Sequence, residues 1–320
     1  MSSILFTLAE DVAATSPSQF AVKYSVDEND CFDFAAGLHE LGHQVFFVNW
    51  RDLVDDRFER IFSYAARQFA APMTLSQFDL AFVYKMEGFL FDLPTFFAMV
   101  AQFENHCGMV VNHPRTIRHN IDKHYLLELE AQGVRIIPTF VSDQQWRERL
   151  ADGKRLVMKP RFGERGNGIF RADCSADLEK ISGQENEYLA QAFMPEIRQG
   201  ERSLVFLGHD FQHAVLKKPS KADPDEFRCN ESLGGTVEVY QPTQDELAFS
   251  CDLLAAYEKQ LRCPVHFSRI DLISVDDAPM LVEAELLNPS IYANYSRKGP
   301  QFGRAIAHYF DALLRVTAAT

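Results

Sequence analysis

The chain has 320 residues, 47% of them hydrophobic and 24% charged, with a formal net charge of -13. That length supports two or three small packed units, and the acidic balance excludes nucleic acid as the main partner, because phosphate binding needs a surplus of lysine and arginine. No apolar run approaches the ~18 residues of a membrane span, residues 1–10 carry no secretory leader, and six scattered cysteines without a C-x-x-C pair fit a reducing compartment. The expectation is a cytoplasmic globular protein with no membrane partner.

The first third alternates strand and helix signals. Residues 4–8 form a short apolar run. Residues 27–30 supply caps for a helix through Leu41, stopped by Gly42. Strands are expected at 44–50, 79–84 and 109–112, with a helix at 93–104, which together predict an open parallel α/β sheet. From Pro114 the pattern changes. A helix is expected over 121–132, ended by Gly133, then strands at 134–137, 155–159 and 169–171, with a glycine-rich loop at 162–168. Strand signals follow at 188–193, 203–207 and 211–217, then a charged loop at 221–226 containing Pro224. A helix at 244–261 precedes two strands, 266–274 and 280–286, joined by a turn at 275–278. The second half therefore reads as α+β.

Three groups of residues carry chemistry. The first is Lys159 before the glycine-rich loop, where Gly163, Gly166 and Gly168 permit positive φ and close approach of backbone N–H groups to an anion. The lysine precedes the glycines and no helix opens after them, so this is not the common phosphate loop; the segment also reads as an ordinary hairpin loop. The second is Asp271 with Glu283 and Glu285. A turn around Asp277 places Asp271 across from Glu283 and Arg269 across from Glu285, with both glutamates on one face. Such oxygen donors suit magnesium held with nucleotide phosphates. A solvated face with Arg269 as partner is the alternative, and the apolar flanks favour the metal. The third is Arg228 and Asn230, two apart, which in an extended strand share a face and could hold a carboxylate or phosphoryl oxygen. Gly234 and Gly235 allow a loop to fold over them.

These parts occur in one order, and in that order the chain resembles the ATP-grasp superfamily. The likeness is nearest to the prokaryotic glutathione synthetase and ribosomal-protein glutamate ligase branches, with features of D-cycloserine synthetase. It begins at residues 112–140, NHPRTIRHNIDKHYLLELEAQGVRIIPTF. The resemblance implies that Lys123 and Lys159 hold the α- and β-phosphates under the loop at 162–168. In residues 188–203 it implies Gln191 at the adenine amino group, backbone groups of Phe193 at the adenine ring, and Glu201 at the ribose. It places Arg228 and Asn230 as catalytic groups near the acceptor carboxylate and γ-phosphate. Asp271 and Glu283 match its metal carboxylates, and Lys85 and Asn288 fall near its substrate pocket. One departure stands out: the ligases close the metal motif as Glu-x-Asn, whereas this chain reads Glu283, Ala284, Glu285.

Residues 39–43 spell H-E-L-G-H, the zinc-protease motif, but that chemistry needs both histidines on a continuing helix, and Gly42 followed by a strand ends the helix first. The fold expected is therefore an α/β pre-ATP-grasp domain at 1–113, followed by an α+β ATP-grasp fold in two lobes, 114–200 and 201–320, clasping ATP. The function expected is an ADP-forming carboxylate–amine ligase acting through an acyl phosphate. Its cofactors are ATP and magnesium, with manganese as an alternative ion. Its partners are small-molecule carboxylates and amines, with a homo-oligomer left open. An intramolecular cyclising ligase and a nucleotide-binding protein without turnover are the alternatives.

Overall fold

Strands β1 (Ser3–Leu8) and β2 (Gln44–Asn49) are apolar on both faces, as strands buried between two layers must be. The computed structural model describes residues 1–8, 31–86, 88–223, 225–296 and 301–317, and pairs these strands in parallel within a six-stranded sheet. Ile4, Phe6, Val45 and Phe47 point to one face, under helix α1 (Cys31–Glu40). Leu5, Phe46 and Val48 point to the other, under helix α2 (Leu93–His106). The expected caps at 27–30, and Pro224 of the expected charged loop, lie outside the described residues.

Helix α1 stops where expected. Gly42 adopts a φ of +89°, its N–H bonds the His39 carbonyl, and the His43 N–H bonds the Leu38 carbonyl, the paired closure of a left-handed helix end. His43 then bonds Asp311 at 3.1 Å while His39 lies edge-on to Tyr64. Among the described residues the H-E-L-G-H segment thus forms no metal site.

Between β2 and β8 (Leu80–Phe82) run five short strands that periodicity did not mark: β3 (Leu53–Val54), β4 (Arg57–Phe58), β5 (Ile61–Ser63), β6 (Gln68–Ala70) and β7 (Met73–Thr74). Three of them, β3, β4 and β7, form a small antiparallel sheet, while β5 extends the main sheet antiparallel to β2 and β6 pairs antiparallel with β5. With β9 (Val110–Val111) the order is β6-β5-β2-β1-β8-β9. The expected parallel sheet is therefore mixed, because strands joined by short turns can return only antiparallel.

The single helix expected over 121–132 is two helices, α3 (Pro114–Asn120) and α4 (Tyr125–Ala131). Long-range bonds break it. The Lys123 N–H goes to the Arg161 carbonyl at 3.0 Å, and the Asp122 carboxylate takes the Arg161 guanidinium and the His124 N–H. The expected strand at 134–137 is an isolated bridge, Ile136 to Leu281.

Two antiparallel sheets follow. β10 (Thr139–Phe140), β11 (Leu156–Pro160), β12 (Phe170–Ala172) and β13 (Tyr188–Ala192) pair in the order β10-β13-β11-β12. Helix α5 (Asp143–Ala151) backs them through Trp146 and Leu150. β14 (Glu201–Leu207), β15 (Asp210–Lys218), β16 (Thr236–Tyr240), β17 (Phe267–Val275) and β18 (Ala278–Glu285) pair in the order β16-β15-β14-β17-β18. Leu204, Ile270, Leu272 and Leu281 of this second sheet bury one face against α4 and helix α6 (Gln244–Leu261). The last helix, α7 (Gln301–Thr317), turns Phe302, Ile306 and Phe310 into the core of the first sheet, beside Phe34 and Phe82. The apolar face of this helix, which follows the second sheet in the chain, is buried under α1.

Asn112 ties the first sheet to the last. Its amide donates to the carbonyls of Phe267 and Leu286 at 2.6 and 2.8 Å, and its oxygen accepts from the N–H groups of His266 and Phe267. All of this is buried. Asn112→Ala should cost about 3 kcal/mol or more in urea unfolding, because it strands four backbone groups away from water. A loss below about 1 kcal/mol would mean that water replaces the side chain at no cost.

Candidate functional site

The two antiparallel sheets face each other across a cavity of about 280 Å³, at the lower end of the roughly 300–1,000 Å³ range of ligand sites. Lys159 on β11, Gln191 on β13, Glu201 on β14, Asp271 on β17, and Glu283 and Glu285 on β18 all line it. Strand alternation explains the sorting: Ile270 and Leu272 pack against the helices, so Arg269 and Asp271 face the cavity. The register is the expected one, with Asp271 opposite Glu283 and Arg269 opposite Glu285. A bulge beside Asp271 makes Val282 the extra residue, so Val282 and Glu283 both reach the cavity wall.

The charges are tightly interlocked. Asp271 accepts from Ser203 Oγ at 2.6 Å, from Arg269 Nε and Nη2 at 2.9 Å each, and from Lys217 Nζ at 3.3 Å. Burial alone would raise its pKa; these cations outweigh burial and hold it well below the usual carboxylate range. Lys217 also pairs with Glu201, whose pKa burial pushes up. Glu283 sits 3.0 Å from Lys123, and the ammonium groups of Lys123 and Lys159 together overcome burial and hold it low. Glu285 bonds Arg269, yet burial and the neighbouring carboxylates push it up to about 7.

Lys159, like Lys85, lines the cavity without a close ion pair among the described residues. It is buried, burial lowers its pKa, and among the described residues no acid or acceptor lies within bonding distance. Lys123, by contrast, also donates to the Gly163 carbonyl at 2.8 Å, fastening the glycine loop. Within that loop Gly166 and Gly168 take φ values of +73° and +71°. A Cβ on Gly166 would lie 2.9 Å from Asn230 Oδ1, and one on Gly168 2.8 Å from Pro160 Cγ. Both positions therefore require glycine. Gly163 does not take a positive φ, contrary to expectation; the other left-handed residue is Arg165, at +58°.

Arg228 and Asn230 both lie against Gly166, but from an irregular extended segment and not the expected strand. The Arg228 fork is held by Glu226 at 2.9 and 2.7 Å, leaving Nη1 toward the Gly166 carbonyl at 3.4 Å. Between them, Cys229 is buried and its thiol pKa is pushed far up by burial, which makes it a poor nucleophile.

At the other end, Gln191 Nε2 donates to Thr139 Oγ1 at 3.2 Å, and its Oε1 is buried without a partner. An orphan acceptor on a cavity wall fits an amino donor such as that of adenine. The Phe193 N–H donates to the Arg155 carbonyl at 2.9 Å, so its carbonyl is the backbone group left for a ligand. Glu201 lines the cavity with its carboxylate on Lys217. Lys85 and Asn288 also line it, at φ values of +53° and +56°, and Tyr292 joins them at +52°. Strained backbone of this kind gathers at functional sites.

Among the described residues no three acid, histidine or cysteine side chains converge as a ready-made metal site. Asp271, Glu283 and Glu285 each hold a basic partner instead. The donor set still suits a hard divalent cation, being all carboxylate oxygen beside a cavity. Lys217 was missed in the sequence, although its place on the cavity face of a strand leading to Arg228 could have marked it.

The family profile described as the prokaryotic glutathione synthetase ATP-grasp domain matches residues 129–290, about half of the chain. The chain belongs to that family. Among curated relatives, the glutathione synthetase of Synechocystis sp. is 31% identical over 213 residues, covering 63% of this chain and 62% of that protein. The cycloserine biosynthesis protein DcsG of Streptomyces lavendulae is 28% identical over 233 residues, covering 63% and 74%. The chain thus spans less than two thirds of the Synechocystis relative. Among solved structures, D-cycloserine synthetase superposes with a TM-score of 0.74 at 19% identity, over 98% of this chain and 99% of that one. The D-alanine–D-alanine ligase of Bacillus anthracis, complexed with ATP, gives 0.60 at 14%, over 100% and 99%. The fold is the two-lobed ATP-grasp fold. No helix among the described residues is long and apolar enough to cross a membrane.

The raised pKa of Glu285 has a consequence for stability. Its folded value of about 7 exceeds the ordinary 4.5, so the native state keeps a proton that the unfolded chain loses, and stability falls as pH rises between these values. Glu285→Gln carries no such proton. The stability of the variant relative to the native protein should therefore increase by more than about 1 kcal/mol from pH 5 to pH 7.5 in urea unfolding. A constant difference would show that Glu285 is ionised throughout.

Proposed function

We propose that this protein is an ATP-dependent, ADP-forming ligase that activates a carboxylate as an acyl phosphate and passes it to an amine. The observation that carries this reading is Lys159: a buried lysine in no close ion pair, in a cavity with Lys123, a glycine loop and the carboxylates of Asp271, Glu283 and Glu285. A buried cation in that state is stabilised by an anion, and phosphate suits one framed by backbone groups. The orphan Gln191 oxygen at the far end supports adenine there, with the Phe193 carbonyl beside it and Glu201 at the ribose. The working units are residues 1–113, 114–200 and 201–320.

In this reading Lys123 and Lys159 hold the phosphates in line, and the loop at 162–168 covers them. Magnesium or manganese, held by Asp271, Glu283 and Glu285, supplies the positive charge that lets an anionic carboxylate approach an anionic phosphoryl group. Arg228, aimed by Glu226, and Asn230 stabilise charge on the acyl phosphate and on the tetrahedral adduct with the amine. Lys85 and Asn288 contact the substrate. Closure of the loop excludes water, which would otherwise hydrolyse the acyl phosphate. The likeness to D-cycloserine synthetase over nearly the whole chain supports a second reading, in which both groups belong to one molecule and the product is a ring.

ATP with magnesium at 100 times its dissociation constant should stabilise the native protein by about 2.7 kcal/mol in thermal unfolding, and ATP alone by less. A screen of amino acids and dipeptides for ADP release should identify a productive pair. Glu283→Gln should fold, yet lose about 100-fold or more of that turnover. Absence of any nucleotide-dependent shift would overturn the assignment, and ordinary turnover by Glu283→Gln would remove the carboxylates from the mechanism.

A further inference from the structure

We propose that Asn120 and Tyr125 are positioning residues, which fix strand β18 and its carboxylates Glu283 and Glu285 relative to Lys123. The inference rests on the ligase reading above. Strand β18 is the outer strand of its sheet, so one row of its backbone groups has no neighbouring strand to bond. Side chains and loop backbone seal that row. The Leu281 N–H goes to the Arg135 carbonyl and the Leu281 carbonyl accepts from Ile137. The Ala284 N–H donates to Tyr125 Oη at 2.8 Å, and that hydroxyl donates to the Ala284 carbonyl at 3.1 Å. The same carbonyl accepts from Asn120 Nδ2 at 2.8 Å, while Asn120 Oδ1 accepts from the Leu286 N–H at 2.9 Å.

Ala284 lies between the two carboxylates. Side chains alternate along a strand while backbone groups point sideways, so holding Ala284 from the edge sets Glu283 and Glu285 together without touching either. Both clamp residues are buried. Asn120 is itself oriented by Tyr257, whose hydroxyl lies 3.3 Å from its amide nitrogen and 2.8 Å from His119 Nδ1. The clamp comes from the stretch that carries Lys123, three residues after Asn120 and two before Tyr125. Lys123 meets Glu283 directly at 3.0 Å. One short segment thus fixes a proposed phosphate cation, the backbone of the metal-binding strand and one of its carboxylates. Residues behind the ligands commonly tune a metal site in this way, at a cost of about 10- to 100-fold in affinity when lost.

Tyr125→Phe keeps the ring and removes only the hydroxyl. The test is Mn²⁺ binding to the full chain with a non-hydrolysable ATP analogue, followed by electron paramagnetic resonance, beside urea unfolding. Tyr125→Phe should raise the Mn²⁺ dissociation constant at least fivefold, and leave binding of the metal-free analogue within twofold of the native protein. Leu129→Ala, a core truncation in the same helix, serves as the stability control and should leave Mn²⁺ binding unchanged. If Tyr125→Phe does not fold, Asn120→Ser makes the same test. Native Mn²⁺ affinity in the clamp variants, or equal weakening in Leu129→Ala, would overturn the positioning role. A native protein that binds the analogue but no Mn²⁺ would instead overturn the metal reading on which the clamp rests.

Discussion

The rest of the structure is arranged around a row of charges withdrawn from water. Glu201, Asp271, Glu283 and Glu285 face Lys123, Lys159, Lys217 and Arg269 across one cavity, so acids and bases balance. Removing one partner from such a row leaves an uncompensated buried charge, which is far more costly than the pair was worth. That constraint explains local features which otherwise look accidental. Helix α3 ends at Asn120 so that the next residues can reach Arg161, Glu283 and the edge of β18. The Arg269 side chain lies between Asp271 and Glu285, and Lys217 reaches from β15 past β14 to Asp271.

The same balance bears on what can bind. A bare nucleoside triphosphate brings several negative charges into a cavity that already holds the acids Glu201, Asp271, Glu283 and Glu285, with Lys123, Lys217 and Arg269 committed to them. Nucleotide with a divalent ion adds much less net charge. In the proposed reading, metal-dependent nucleotide binding is expected from these acids as well as from the chemistry of phosphoryl transfer. The fold itself does not choose the acid or the amine, because site residues and not architecture carry specificity. In the proposed reading that choice falls to the part of the cavity lined by Lys85, Asn288 and Tyr292, all three with left-handed backbone.

Much of the site was legible in the sequence wherever the determinants are local. The turn between β17 and β18 and the end of α1 at Gly42 are local, although pairing Asp271 with Glu283 also needs the bulge at Val282, and the bounds of α6 follow from its long pattern. What stayed hidden depends on contacts far along the chain. The break at residues 121–124 is dictated by Arg161, about forty residues away. Lys217 carried no motif, and only the pairing of β14, β15 and β17 reveals it between two acids. The meander at residues 53–74 has strands too short to show a period, and α7 is placed by the core of the first sheet, nearly 300 residues earlier in the chain.

The most direct measurement follows oxygen. Native protein is incubated with ATP, magnesium and a productive substrate pair whose carboxylate carries ¹⁸O, and the phosphate products are examined by mass spectrometry. If Lys123, Lys159 and the carboxylates present the γ-phosphoryl group to the acid, one labelled oxygen per turnover appears in inorganic phosphate and ADP accumulates with it. Label in AMP, with release of pyrophosphate, would contradict an acyl phosphate formed at this site.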